Sequence, residues 1–122
     1  MDNVLSLAYL GDAVYEVYIR NYLMKQGIVK VNNLQKEAIK FVSAKAQASF
    51  VTKMLEDNFL NQEEINIFTR GRNHKSHSSP KNTDMITYKY ATGFEAIIGY
   101  LTIQNNQGRI VEIINYIIEM RE

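Results

Sequence analysis

LAYLGDAVYEVY, residues Leu7 to Tyr18, sets one carboxylate, Asp12, in the middle of an otherwise apolar helical pattern. At about 100° per residue, Asp12 shares a side with Leu5, Ala8, Ile19 and Leu23, while Leu10, Val14, Val17 and Tyr18 make the other sides apolar too. The spacing predicts a central helix, buried all round, that carries an acid. A second stretch repeats the arrangement: in ATGFEAIIGYLTI, residues Ala91 to Ile103, Glu95 lies on a face with Ala91, Ile98 and Thr102. An ionised carboxylate left without a partner in such surroundings is strongly disfavoured, so the two acids imply cations, hydrogen-bond donors or a metal between them.

The rest of the chain bounds what these acids can serve. At 122 residues the expectation is a single domain, 1–122, with any binding surface built into it. Cysteine is absent, which excludes disulfides and thiolate-bound zinc and fits a reducing, cytoplasmic setting. No apolar run reaches the roughly 18 to 20 residues of a membrane-crossing helix, and the N-terminus lacks the basic start of a secretion signal. We therefore expect no membrane association. The formal charge of +1 gives no global attraction to nucleic acid, so affinity for a polyanion must come from local clustering.

One proline and apolar residues at helical spacing predict an all-α fold of about six helices. The first runs from about Asn3 to Gln26 and stops at Gly27. Asn32 or Asn33 is expected to cap the second, Ser43 the third, and Asn61 with Glu64 a short fourth through a capping box. A polar loop, RGRNHKSHSSPKN from Arg70 to Asn82, precedes a long fifth helix capped by Thr83 or Asp84. Gly108 is expected to separate the sixth, whose β-branched residues at 110, 111, 113, 114, 117 and 118 are spaced for helix rather than strand.

Gly11 precedes Asp12, and Gly93 and Gly99 flank Glu95. Glycine inside a helix costs about 0.5–1 kcal/mol relative to alanine, a loss that close backbone approach would offset. The first and fifth helices are thus predicted to cross near Gly11, Ala8, Ala96 and Gly99, bringing Asp12 and Glu95 to a shared cation. Two oxygen ligands completed by water and phosphate oxygens suit Mg²⁺ and imply phosphoryl hydrolysis. The bare pattern fits equally well two structural acids paired with Lys or Arg from a neighbouring helix.

Other groups have simpler readings. Glu16 stands in the right order and spacing to pair with Arg20. Asp84 occupies a capping position. His74 and His77 lie in a Ser/Asn-rich loop without a neighbouring acid, and Tyr15, Tyr88, Tyr90 and Tyr100 are spaced as core or interface residues. Arg70, Arg72, Lys75 and Lys81, interleaved with Ser and Asn, form the dense positive cluster, which fits equally a contact to nucleic-acid phosphates without regard to sequence and a merely solvated loop.

LGDAVYEVYIRNYL at Leu10–Leu23 and FEAIIGYL at Phe94–Leu101 resemble, in order and separation, the two acid motifs of the ribonuclease III catalytic domain. FVSAKAQA at Phe41–Ala48, RGRNHKS at Arg70–Ser76 and PKNTDMITYKYATGFEA at Pro80–Ala96 resemble its Mini-ribonuclease III branch in particular. The resemblance implies an all-α homodimer that hydrolyses double-stranded RNA with Mg²⁺, one site per strand, leaving 5′-phosphate ends. It implies Asp12 and Glu95 as the metal-binding catalytic carboxylates and no appended RNA-binding domain. It also implies the paired ends of the 23S ribosomal RNA precursor as substrate, and allows ribosomal proteins as further partners. Ordinary ribonuclease III carries a glutamate where this chain has Ala8 and an aspartate where it has Thr92; with fewer charged oxygens, metal affinity should be weaker. The alternative reading is a non-catalytic helical module that binds structured RNA, with both acids structural.

Overall fold

Asn3 opens the first helix, its Oδ1 accepting from the amides of Leu5 at 3.0 Å and Ser6 at 3.1 Å. The computed structural model describes residues 3–75 and 84–121. Within these the chain forms six helices: α1 (Val4–Lys25), α2 (Val31–Val42), α3 (Ala44–Glu56), α4 (Gln62–Arg72), α5 (Met85–Ile103) and α6 (Gln107–Arg121). The all-α expectation is met. Among the described residues no helix is long and apolar enough to cross a membrane.

Gly27, at φ 92°, ends the first turn-out of α1 as expected. Helix α2 begins earlier than the sequence suggested, capped by Lys30 without a side-chain hydrogen bond. Starting there lets the Leu34 amide reach the Lys30 carbonyl at 2.9 Å, so the stripe that buries Ala38 and Phe41 begins with a complete turn. Ser43 both ends α2 and caps α3, accepting from the Ala46 amide at 3.1 Å. The capping box of α4 is present, with Glu64 N–H on Asn61 Oδ1 at 2.8 Å and Asn61 N–H on Glu64 Oε1 at 3.0 Å.

Two further boundaries differ from expectation. Arg70 and Arg72 belong to the last turn of α4 rather than to a loop, because Gly71 packs onto α5, where a Cβ would lie 2.9 Å from Gly93 Cα. Gly108 lies inside α6. The break falls at Asn105, at φ 56°, and Asn106, whose side chain accepts from the Arg109 amide at 3.2 Å. Helix α6 buries Ile110, Ile113, Ile114 and Ile117 on one face, so the helical spacing prevails over the β-branched composition. Arg109 secures it, placing its guanidinium 4.4 Å from the Phe59 ring and donating to buried Glu64 at 2.8 and 2.9 Å.

Helices α1 and α5 form the centre, with α3 and α4 packed against α5 and α2 against α1. Helix α5 is buried continuously from Ala91 to Phe94 and from Ala96 to Gly99. Tyr15, fully buried, donates to the Phe41 carbonyl at 2.8 Å and meets Phe94 edge-on at 4.9 Å. The predicted crossing is present in the backbone itself: a Cβ on Gly11 would sit 1.8 Å from the Glu95 carbonyl oxygen, and one on Gly99 1.8 Å from that of Leu7. No rotamer change relieves a clash with main chain. Gly99→Ala should therefore destabilise the protein by about 3 kcal/mol or more. Gly108→Ala, with nothing within 4 Å of the added methyl, should stabilise it by about 0.5 kcal/mol; urea unfolding of the two variants checks both signs.

Candidate active site

Gly11 precedes Asp12 in α1, and the carbonyl lying against Gly11 belongs to Glu95. The contact that joins the helices thus also sets the register of the two acids, and their carboxyl groups converge to hydrogen-bonding contact. One expectation is corrected here. Helix α1 buries a single face, made by Val4, Leu7, Ala8, Gly11, Tyr15, Ile19 and Leu23, and Asp12, about 100° round from Gly11, is exposed. The sequence pattern looked buried on all sides because the outer face of α1 is apolar as well.

Glu95 is partly buried, and its carboxyl is pushed from the ordinary value of 4.5 up to about 8. Desolvation is the largest cause, followed by the negative charge of Asp12 and the hydrogen bond between the two acids; a hydrogen bond from Gln47 opposes them. Near neutral pH the cation-free pair therefore keeps a proton on Glu95. Like charges held this close favour either a proton or a cation between them. An all-oxygen donor set with surplus negative charge and a solvent-exposed side fits a hard divalent ion such as Mg²⁺.

Gln47 was not anticipated as a site residue. It is 2 % exposed, its Nε2 donates to the Val42 carbonyl at 3.0 Å, and it lies beside Glu95, whose pKa it draws down. Its Oε1 is buried with no hydrogen-bond partner among the described residues, at a cost of about 1–3 kcal/mol. The signal was present in the pattern: residues 47, 50, 51 and 54 form the buried stripe of α3, and Gln47 is its polar member.

The remaining candidates lie elsewhere or have other partners. Glu16 pairs with Arg20 at 3.0 Å. Asp84 caps α5 by accepting from the Thr87 amide at 2.8 Å, and the Thr87 hydrogen bonds hold its carboxyl below the usual range. Thr92 is buried, with its hydroxyl donating to the Tyr88 carbonyl at 3.0 Å. Ala8 is buried against the core. Tyr15 is core, and Tyr90 packs on Phe68 at 5.3 Å. His77 and Lys81 lie outside the described residues, among which no group of three or more His, Asp or Glu side chains could hold a metal.

Arg70 and Lys75 are exposed, and Arg72 lies 5.6 Å from the Phe68 ring while donating to Asn73 Oδ1 at 3.1 Å. This end of α4 packs on α5 at Gly93. Glu95, two residues on, points roughly 200° round the same helix. The cations and the acids thus occupy different sides of α5.

The model of the ribonuclease III domain matches residues 5–106. The chain belongs to the ribonuclease III family. It is 46% identical over 120 residues to the Mini-ribonuclease 3 of Streptococcus pneumoniae, covering 98% of this chain and 94% of that protein. With the Mini-ribonuclease 3 of Enterococcus faecalis the identity is 50% over 117 residues, covering 96% and 89%. A crystal structure of a protein from Fusobacterium nucleatum, 34% identical, superposes with a TM-score of 0.87 and covers 100% of this chain and 97% of that one. The recognition of the Mini-ribonuclease III branch from sequence is met.

The proton on Glu95 has a measurable consequence. The folded state holds it up to about pH 8, whereas the unfolded chain releases it near the ordinary value. The folded state therefore binds more protons between those limits, and its stability falls as pH rises through that window. In chelator-treated protein, Glu95→Gln should remove this fall and be the more stable form at pH 8, by an amount on the order of a few kcal/mol. Urea unfolding of both forms at pH 5 and pH 8 measures it.

Proposed function

We propose that this chain is a Mg²⁺-dependent endoribonuclease that cleaves double-stranded RNA, and that Asp12 and Glu95 are its catalytic, metal-holding carboxylates. The observation that carries this reading is the convergence of two carboxyl groups, one held protonated by burial, by the other's charge and by the hydrogen bond between them, in a ribonuclease III family chain. Bound between them, Mg²⁺ would supply charge stabilisation at the scissile phosphate and acidify water for attack on phosphorus.

The chain's own residues perform the rest. Asp12, on the exposed edge of α1, presents its oxygens to solvent, where an RNA backbone arrives. Glu95 would have to release its proton to hold a cation, so cation affinity would rise with pH towards about 8. With Ala8 and Thr92 in place of further acids, the pair holds metal with few charged oxygens. Arg70, Arg72 and Lys75 would hold phosphates at a distance from the cut, and Lys81 would add a further phosphate contact. A-form RNA exposes chiefly phosphates and 2′-hydroxyls, so selection is by shape more than by sequence.

Two antiparallel strands call for two symmetry-related sites, hence a homodimer. The outer face of α1 supports this: Tyr9, Val17 and Met24 are 85, 57 and 61% exposed on the helix that carries Asp12. Joining two copies across this face would cover those residues and set the two acid pairs on either side of the joint. The natural substrate we infer is the paired ends of the 23S ribosomal RNA precursor, in the cytoplasm, with ribosomal proteins as accompanying partners.

End-labelled duplex RNA, with and without Mg²⁺, resolved on a denaturing gel, tests the reading. Discrete fragments bearing 5′-phosphates are expected only with Mg²⁺. Asp12→Asn and Glu95→Gln should each abolish them while leaving duplex binding intact; binding without cleavage by the unmodified protein would make this a helical RNA-binding module instead. Charge removal at Arg72 and Lys75 should weaken binding and flatten its salt dependence, with the cleavage products unchanged. Val17→Asp should shift the sedimenting species from dimer to monomer, and a dimer that survives it would place the interface elsewhere.

A further inference from the structure

Gln47 is a polar side chain carried on the buried stripe of α3, between Val42 at the end of α2 and Glu95 on α5. The Val42 carbonyl can only accept, so the hydrogen bond at 3.0 Å identifies the amide nitrogen as the group facing it. The second hydrogen of that nitrogen is available to the Glu95 carboxylate, whose pKa the Gln47 amide beside it draws down. The amide oxygen then has no donor among the described residues, although it is fully buried. A core position selected for stability alone would be better filled by an aliphatic side chain, which leaves no polar atom orphaned. The same stripe carries Phe50, Val51 and Met54.

Resting on the reading of Asp12 and Glu95 as the metal-holding pair, we propose that Gln47 is the positioning residue of Glu95: its Nε2, tethered to the Val42 carbonyl, aims the carboxylate at Asp12, and its Oε1 accepts from water ordered beside the acid pair. The tether matters because Glu95 has a flexible side chain that, once its proton has left, faces a like-charged neighbour and would swing away from Asp12. A neutral donor fixed by a backbone carbonyl holds the carboxylate without neutralising it, as a lysine would. The charge that attracts a divalent cation is kept while the geometry is fixed. Gln47 itself touches neither RNA nor the scissile phosphate.

Gln47→Met keeps the length and volume of the side chain and removes both amide functions. Mn²⁺ binding followed by electron paramagnetic resonance, in the absence of RNA, should weaken by roughly tenfold or more, and kcat at saturating Mg²⁺ should fall by a similar factor with duplex RNA affinity unchanged. The urea midpoint should hold or rise, since an unpartnered buried oxygen is removed. A lowered midpoint with unchanged Mn²⁺ affinity would overturn the proposal and leave Gln47 a structural residue. Should the variant fail to fold, the unmodified protein decides: the Gln47 side-chain amide resonances should shift on Mg²⁺ addition, and unmoved resonances overturn the proposal. Asp12→Asn separates the two levels. If it abolishes Mn²⁺ binding while Gln47→Met retains it, only the role of Gln47 falls. If it leaves Mn²⁺ binding intact, the acid pair is not the cation site and both readings fall.

Discussion

The backbones of α1 and α5 touch at Gly11 and Gly99, and the remainder of the molecule is arranged around that contact. Each glycine lies against a carbonyl oxygen of the other helix, Gly11 against Glu95 and Gly99 against Leu7. Any side chain at either position would force the helices apart. Separation would not merely loosen the core; it would pull Glu95 away from Asp12, because the residue whose carbonyl meets Gly11 also bears one of the two carboxylates. Packing and chemistry are therefore coupled through a single backbone contact. The helical cost of the glycines is about 1 kcal/mol each, small beside the burial that close approach permits.

The acid pair shows the opposite balance. Two carboxyl groups in contact, one of them partly buried, oppose folding in the absence of a cation, and the chain tolerates them by keeping a proton on Glu95 and by bringing the Gln47 amide against it. The orphaned Gln47 oxygen adds a further cost at the same place. Unfavourable terms concentrated at one point, in a core otherwise filled by aliphatic and aromatic residues and by hydrogen-bonded Glu64 and Thr92, are the pattern expected where binding rather than stability has shaped the residues. By contrast, Glu64 is buried and fully satisfied. It closes the α4 capping box and holds Arg109 in two short hydrogen bonds, which fixes α6 against α4. Burial of an acid alone does not mark a site; burial opposite a like charge does.

Much of this was legible in the one-dimensional chain. Local hydrogen-bonding chemistry located the starts of α1, α3, α4 and α5, because Asn3, Ser43, Asn61 and Asp84 each satisfy amides within three residues. Where the boundary depended on distant packing, it was misjudged. Lys30 is a poor cap, and α2 starts there to complete its buried stripe. Arg70 to Arg72 look like loop but continue α4 because Gly71 seats on Gly93. Gly108 looks like a break, yet Asn105 and Asn106 make the turn. A helix boundary set by a cap is a short-range property, and one set by a neighbouring helix is not.

The sequence by itself determined the helical periodicities, the caps of α1, α3, α4 and α5, the glycines that allow two helices to meet, and the two acids beside those glycines, because each depends on spacing within one element. Only the tertiary structure decided that Asp12 is exposed while Glu95 is partly buried, since an apolar outer face on α1 cannot be told from a buried one by period alone. It alone brought Gln47 from a third helix to the acid pair, and set the cations of α4 on a different side of α5. These are relations between elements, fixed by which faces pack together, and no periodicity within a single helix encodes them.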